Sequence, residues 1–133
     1  MTRDELLAWV AAYERAWRTE GTAVLADIFA PEATYQTAPY AAAHRGLDAI
    51  ARLWETERAG PDERFSLDAE VIAVEGNTGV VRIEVHYGEP LNQEYRDLWV
   101  VTLDEARRCT AFEEWPYWPP GTSGAIAAPA DEA

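Results

Sequence analysis

Two periodicities divide the chain. Up to about residue 57 apolar positions recur every three or four residues, and from Phe65 onward they recur every two. Leu6, Trp9, Val10, Tyr13 and Trp17 form one stripe and predict a helix over residues 1–19. Thr2 can cap it, and Asp4 and Glu5 occupy the first turn, where the helix dipole favours acids. Gly21 ends it. A second, short helix is expected from about Thr22, with Val24, Leu25, Ile28 and Phe29 inward and Pro31 closing it. Residues 33–37 read as a short strand leading into a loop around Pro39. Gly46 precedes a third helix, whose Leu47, Ile50, Leu53 and Trp54 share a face.

Beyond a loop at "AGPDER", the segments "SLDAEVIAVE" and "VVRIEVHY" alternate and flank "GNTG", a hairpin signal. "EPLNQ" connects to "EYRDLWVVTL", and "DEARR" turns into "CTAFEEW". Three helices followed by four long antiparallel strands imply an α+β domain with helices on one face of a curved sheet. In "VVRIEVHY" the residues Val81, Ile83, Val85 and Tyr87 share one side, and Val80, Arg82, Glu84 and His86 the other. Alternation alone leaves two placements. Either the apolar side meets the core, or the charged side enters a pocket and the apolar side meets a partner subunit. The segment "ATYQTAPYAAAHRGLDAIARLW" is too apolar for a surface connector and too irregular for one regular element.

Composition narrows the function. At 133 residues the chain is read as one domain over 1–120, and "GTSGAIAAPADEA" over 121–133 as a disordered tail. Six Trp and six Tyr supply material for a core or a ring-lined pocket. With 11 basic and 24 acidic residues the formal charge is −13, a field that repels phosphate backbones and anionic lipid. No nucleic-acid or membrane partner is therefore expected, and a neutral or weakly polar small molecule is the easier ligand. The single Cys109 excludes an intrachain disulfide framework and fits a reducing compartment. The absence of a signal segment or long apolar run makes the cytoplasm the default location. His44 and His86 are the only histidines and lack metal-ligand spacing, so no metal is expected. No phosphate-binding glycine loop or nucleophile motif appears, and no cofactor is expected.

"YERAWRTEGTAVLADIFAPEATYQTAP", "RGLDAIARLWE" and "YRDLWVVTLDEARRCTAFEEW", in that order, resemble the SnoaL-like branch of the nuclear transport factor 2-like superfamily. The match spans about residues 5–120. It implies a cone: a strongly bent, mixed, mainly antiparallel sheet around a deep pocket, with the first helix as a lid. Such a scaffold hosts isomerases, cyclases, hydrolases, dehydratases and binding domains, so the activity does not follow from the fold. The resemblance places Tyr35, Tyr40, His44 and Trp54 around a ligand, although Trp54 on its stripe reads equally as plain core.

Three chemistries are compatible with that resemblance. Ketosteroid-isomerase-like proton transfer would use Tyr13 and Asp97 to hold a developing oxyanion. Thr37 occupies the position of that family's base, and an alcohol cannot take a carbon-bound proton at neutral pH. Limonene-epoxide-hydrolase-like water addition would use Tyr35 and Thr37 to hold water. Arg82 and Glu84 would match that family's Arg-x-Asp strand, and Glu114 its final Asp. This requires the charged side of the Arg82 strand to look inward, and then Val81, Ile83, Val85 and Tyr87 would need the cover of a homodimer. The alternative is a non-catalytic module for small-ligand binding or dimerisation, and Tyr13, Trp17, Thr37, Tyr40, His44, Trp54, His86 and Trp99 are the ligand-binding candidates. Glu84, Glu114, Arg82, Asp97 and Tyr35 are the catalytic candidates.

Overall fold

A computed structural model describes residues 1–58, 64–88 and 93–120. The elements are α1 (Arg3–Trp17), α2 (Leu25–Ile28), β1 (Phe29–Gln36), β2 (His44–Arg45), α3 (Leu47–Glu57), β3 (Phe65–Glu75), β4 (Thr78–Tyr87), β5 (Gln93–Leu103) and β6 (Cys109–Tyr117). The expected disordered tail at 121–133, most of the "AGPDER" loop and residues 89–92 of the "EPLNQ" connection lie outside the described residues. Among the described residues no helix is long and apolar enough to cross a membrane.

Helix α1 starts where its sequence predicts. The Glu5 amide donates to Thr2 Oγ1 at 3.1 Å and the Thr2 amide to Glu5 Oε1 at 2.8 Å, a reciprocal capping box. Leu6, Trp9, Val10 and Tyr13 are buried along one stripe, and Trp9 Nε1 donates to the Ile28 carbonyl at 2.9 Å. The second helix is shorter than its pattern suggests. It ends at Ile28, and Pro31 sits inside β1 instead of closing a helix. The β1 ladder breaks its register between Phe29 and Thr34, the interval that contains Pro31, which has no N–H to give a neighbouring strand.

The six strands form one open sheet in the order β2-β1-β6-β5-β4-β3. Every neighbouring pair is antiparallel except β1 with β6, which run parallel and make the sheet mixed. The β3–β4 hairpin turns at Gly76 and Asn77, with Gly76 at φ +60°, the conformation a tight hairpin needs at its first central residue. The helices cover one face. Trp54, Phe29, Phe112, Ile50, Val81 and Ile83 are fully buried there, each large side chain contributing on the order of 2 kcal/mol on removal from water.

This architecture decides the orientation of β4. Val81, Ile83 and Val85 are buried against the helices, whereas Arg82 is exposed and Glu84 and His86 are half-exposed on the outer face. The inward placement of Arg82, Glu84 and His86 is therefore overturned. Among the described residues the helices lie on one side of the sheet, so an alternating strand turns its apolar row toward them. The need to cover Val81, Ile83, Val85 and Tyr87 with a partner disappears with it.

Candidate functional site

A cavity of about 870 Å³ opens between α1, α3, the loop after β1 and the inner face of the sheet. The strand register builds its floor. Asp97 faces Ile83 on one side and Pro116 on the other, and Trp99 faces Val81 and Glu114. Asp97 and Glu114 are thus diagonal neighbours on the inner face of β5 and β6, and their carboxyls hydrogen-bond to each other. Glu113, one residue away, points outward and accepts from Trp115 Nε1.

The two acids are not equivalent. Asp97 is 2% exposed and lies behind the wall. It accepts from Trp99 Nε1 at 3.0 Å and from the Trp115 amide at 3.1 Å. Glu114 lines the cavity. Burial raises the pKa of Asp97, and its hydrogen bonds with Glu114, Trp99 and Trp115 oppose that rise. Burial holds Glu114 well above the usual carboxylate range, and the charge of Asp97, the hydrogen bond to it and the charge of Glu57 push the same way. Two N–H donors serve the anionic form of Asp97, so the proton the pair retains belongs on Glu114.

The phenols of Tyr13 and Tyr35 meet at 2.6 Å, both buried. Burial raises both well above the ordinary phenol, and the charge of Glu114 adds to each rise, which places that carboxyl beside them. The Tyr13 ring lies 4.5 Å from Trp99 and 5.1 Å from Trp54, centroid to centroid. Burial likewise raises the pKa of Tyr95, with Glu114 the next cause. A proton donor thus stands in an apolar, ring-lined setting, where a hydrogen bond to a developing negative charge is strongest.

Of the residues singled out from the sequence, Tyr13, Trp17, Tyr35, Thr37, Tyr40, His44, Trp54, Trp99 and Glu114 line this cavity. Asp97 backs it from behind. Arg82, Glu84 and His86 lie on the opposite face of the sheet. Arg82 Nη1 bonds Glu70 Oε1 at 2.8 Å, and His86 Nε2 meets Glu84 Oε2 at 2.7 Å, a contact that lowers the Glu84 pKa. The epoxide-hydrolase arrangement through Arg82 and Glu84 is excluded, because a β-strand side chain cannot reach through its own sheet. Glu14, Glu57, Tyr95 and Trp118 also line the cavity, and the sequence reading does not include them. Two signals point to them: Tyr95 alternates in phase with Asp97 and Trp99, and Glu57 follows Trp54 by three residues on α3. Among the described residues no group of three or more His, Cys, Asp or Glu is placed to hold a metal ion.

Residues 10–110 match the SnoaL-like domain family, and the chain belongs to it. Solved structures share the fold. A protein of unknown function with a cystatin-like fold from Methylobium petroleophilum is 19% identical, with 92% of this chain and 82% of that chain covered and a TM-score of 0.69. A protein described as nuclear-transport-factor-2-like, from Mesorhizobium loti, is 19% identical over 86% of this chain and 92% of that chain, with a TM-score of 0.64. An LEH-like epoxide hydrolase from Mycobacterium tuberculosis is 15% identical over 86% and 84%, with a TM-score of 0.62. At such identities the likeness is one of fold. No curated protein matches the sequence.

Proposed function

We propose that this protein binds a small, mostly apolar molecule bearing an epoxide or carbonyl oxygen and acts on it by cofactor-independent general-acid catalysis. The observation that carries the reading is the Asp97–Glu114 pair, whose proton-bearing member opens on an aromatic cavity. In water addition, Glu114 gives its proton to the epoxide oxygen as the carbon–oxygen bond breaks. Water entering from the mouth forms the new carbon–oxygen bond, and the proton it sheds leaves to solvent, which reprotonates Glu114. Asp97 keeps the pair singly charged and fixes the Glu114 carboxyl. Tyr13 and Tyr35 orient the oxygen. Isomerisation is the second use of the same donor.

A specific observation favours the non-catalytic alternative. Thr37 stands at the cavity where the isomerases carry their base, and Asp97 is sealed from ligand. A ligand-binding module would need only the cavity. Turnover of a panel of small epoxides and enones, followed by mass spectrometry, separates the two. Glu114→Gln keeps a hydrogen-bond donor for Asp97 but cannot transfer a proton, so it should lower kcat by about 10²–10⁴-fold with the fold retained. Glu84→Gln, on the outer face, should leave turnover unchanged. Wild-type turnover that survives Glu114→Gln would refute the acid role, and binding without turnover of any panel member would favour the module. We further infer a homodimer, supported by Val80, Leu98, Val100 and Trp115, which leave an apolar strip on the outer face of the sheet, and a reducing, cytoplasmic setting, supported by the single Cys109.

A further inference from the structure

The chemistry proposed for Glu114 leaves the other end of the cavity unused, and that end is a row of rings. Phe65 of β3 faces Tyr87 of β4 directly across the ladder. Tyr95 of β5 and Trp118, just beyond β6, continue the line. The rings around the acid pair are sealed, Trp54, Trp99 and Tyr13 all being buried. These four instead line the cavity half-buried. Ring centroids are 6.0 Å apart for Phe65 and Tyr87, 6.3 Å for Tyr87 and Tyr95, and 4.6 Å for Tyr95 and Trp118. Rings lying side by side in one plane cannot come so close, so neighbours overlap and turn their edges toward the open space. The Arg18 guanidinium lies 3.9 Å over Phe65 and occupies that end of the row. Strand register sets the distance to the acid. Glu114 faces Trp99, and Tyr95 lies four residues from Trp99 along β5, about 13 Å at the rise of a strand.

We propose that the ligand of this cavity is elongated, with its oxygen at Glu114 and a flat unsaturated ring at the opposite end, laid across the edges of Tyr95 and Trp118. An aromatic ring is positive at its edge and negative on its face, so a ring resting on this row receives several edges on one face. A puckered saturated ring of the same size buries as much area but has no such face to offer. The row also spans separate strands of one sheet, which hold its rings in place before a ligand arrives, so little ordering is lost on binding. The inference rests on the reading of this cavity as the ligand site with Glu114 at the oxygen, and it adds the shape and chemical class of the ligand's body.

The test compares para-acetylbiphenyl with para-cyclohexylacetophenone by equilibrium dialysis. Both carry the same aryl ketone and differ only in the far ring, flat in one and puckered in the other. By apolar area alone the cyclohexyl compound would bind at least as well. Edge-to-face contact should instead make the biphenyl compound bind about three- to tenfold more tightly. Trp118→Leu and Tyr95→Leu keep an apolar side chain without a ring, and each should bring that ratio close to unity. Tyr117→Leu removes a ring that is 60% exposed and outside the cavity, and should preserve it. Equal affinities in the wild type, or a preference that survives both Trp118→Leu and Tyr95→Leu, would overturn the ring platform and leave the acid role of Glu114 standing. Failure of both ketones to bind would overturn the ligand site itself.

Discussion

At the scale of single residues, position relative to the apolar row separates the acids. Glu84 lies between Ile83 and Val85 in sequence and so takes the opposite, outer side of β4, where its hydrogen bond with His86 lowers its pKa. Asp97 and Glu114 sit in phase with buried rings, and burial raises both. A carboxyl whose pKa is higher folded than unfolded contributes stability that is complete below the ordinary carboxylate pKa and is lost as pH rises through the raised value. The groups facing the pair are Tyr13, Tyr35, Tyr95, Trp99 and Glu57, and none is cationic. The melting temperature should therefore fall as pH rises above the ordinary carboxylate range, and Glu114→Gln should flatten that fall. Parallel slopes for the two proteins in thermal melts would contradict the shared-proton description.

At the scale of elements, the periodicities specified the helices and the four long strands, while β2, the length of α2 and the place of Pro31 escaped them. A two-residue strand carries no period, and a four-residue helix holds barely one turn. The site was legible in part. Asp97 is an acid in phase with Trp99 and Val101, and Glu114 lies two residues beyond Phe112, but alternation does not announce which face is covered. The covering elements settle that, and they come from distant sequence. Their closeness is measurable at Gly79 in β4: a Cβ there would collide with Leu6 Cδ2 and stand 3.3 Å from Met1 Cε. Leu6 is fully buried and cannot swing away. Gly79→Ala should cost about 1–3 kcal/mol in denaturant unfolding, the usual range for overpacking. A loss below about 0.5 kcal/mol, the scatter of neutral surface changes, would mean that α1 docks more loosely than described.

At the scale of the whole molecule, the charge of −13 and the outer face of the sheet pull in opposite directions. Val80 faces Val100, and Leu98 faces Trp115, within a surround of Arg82–Glu70 and Arg96–Glu84 pairs. A second copy seated on that strip would bury it, against the mutual repulsion of two acidic chains, which salt screens. Light scattering should give twice the mass of one chain at moderate salt, and Leu98→Arg should halve it without unfolding the protein. A wild-type mass of one chain would rule out the pairing. The parallel ladder between β1 and β6 has a different consequence, for the order of events during synthesis. Tyr13 and Tyr35 leave the ribosome roughly eighty to a hundred residues before Glu114 does, and nothing local can hold their place in the meantime. The meander from β3 to β6 can zip from neighbour to neighbour, but the proton donor meets its phenols only when the last of these strands slides in beside the first. A nascent chain thus lacks the cluster of Glu114 with Tyr13 and Tyr35 until β6 has paired with β1.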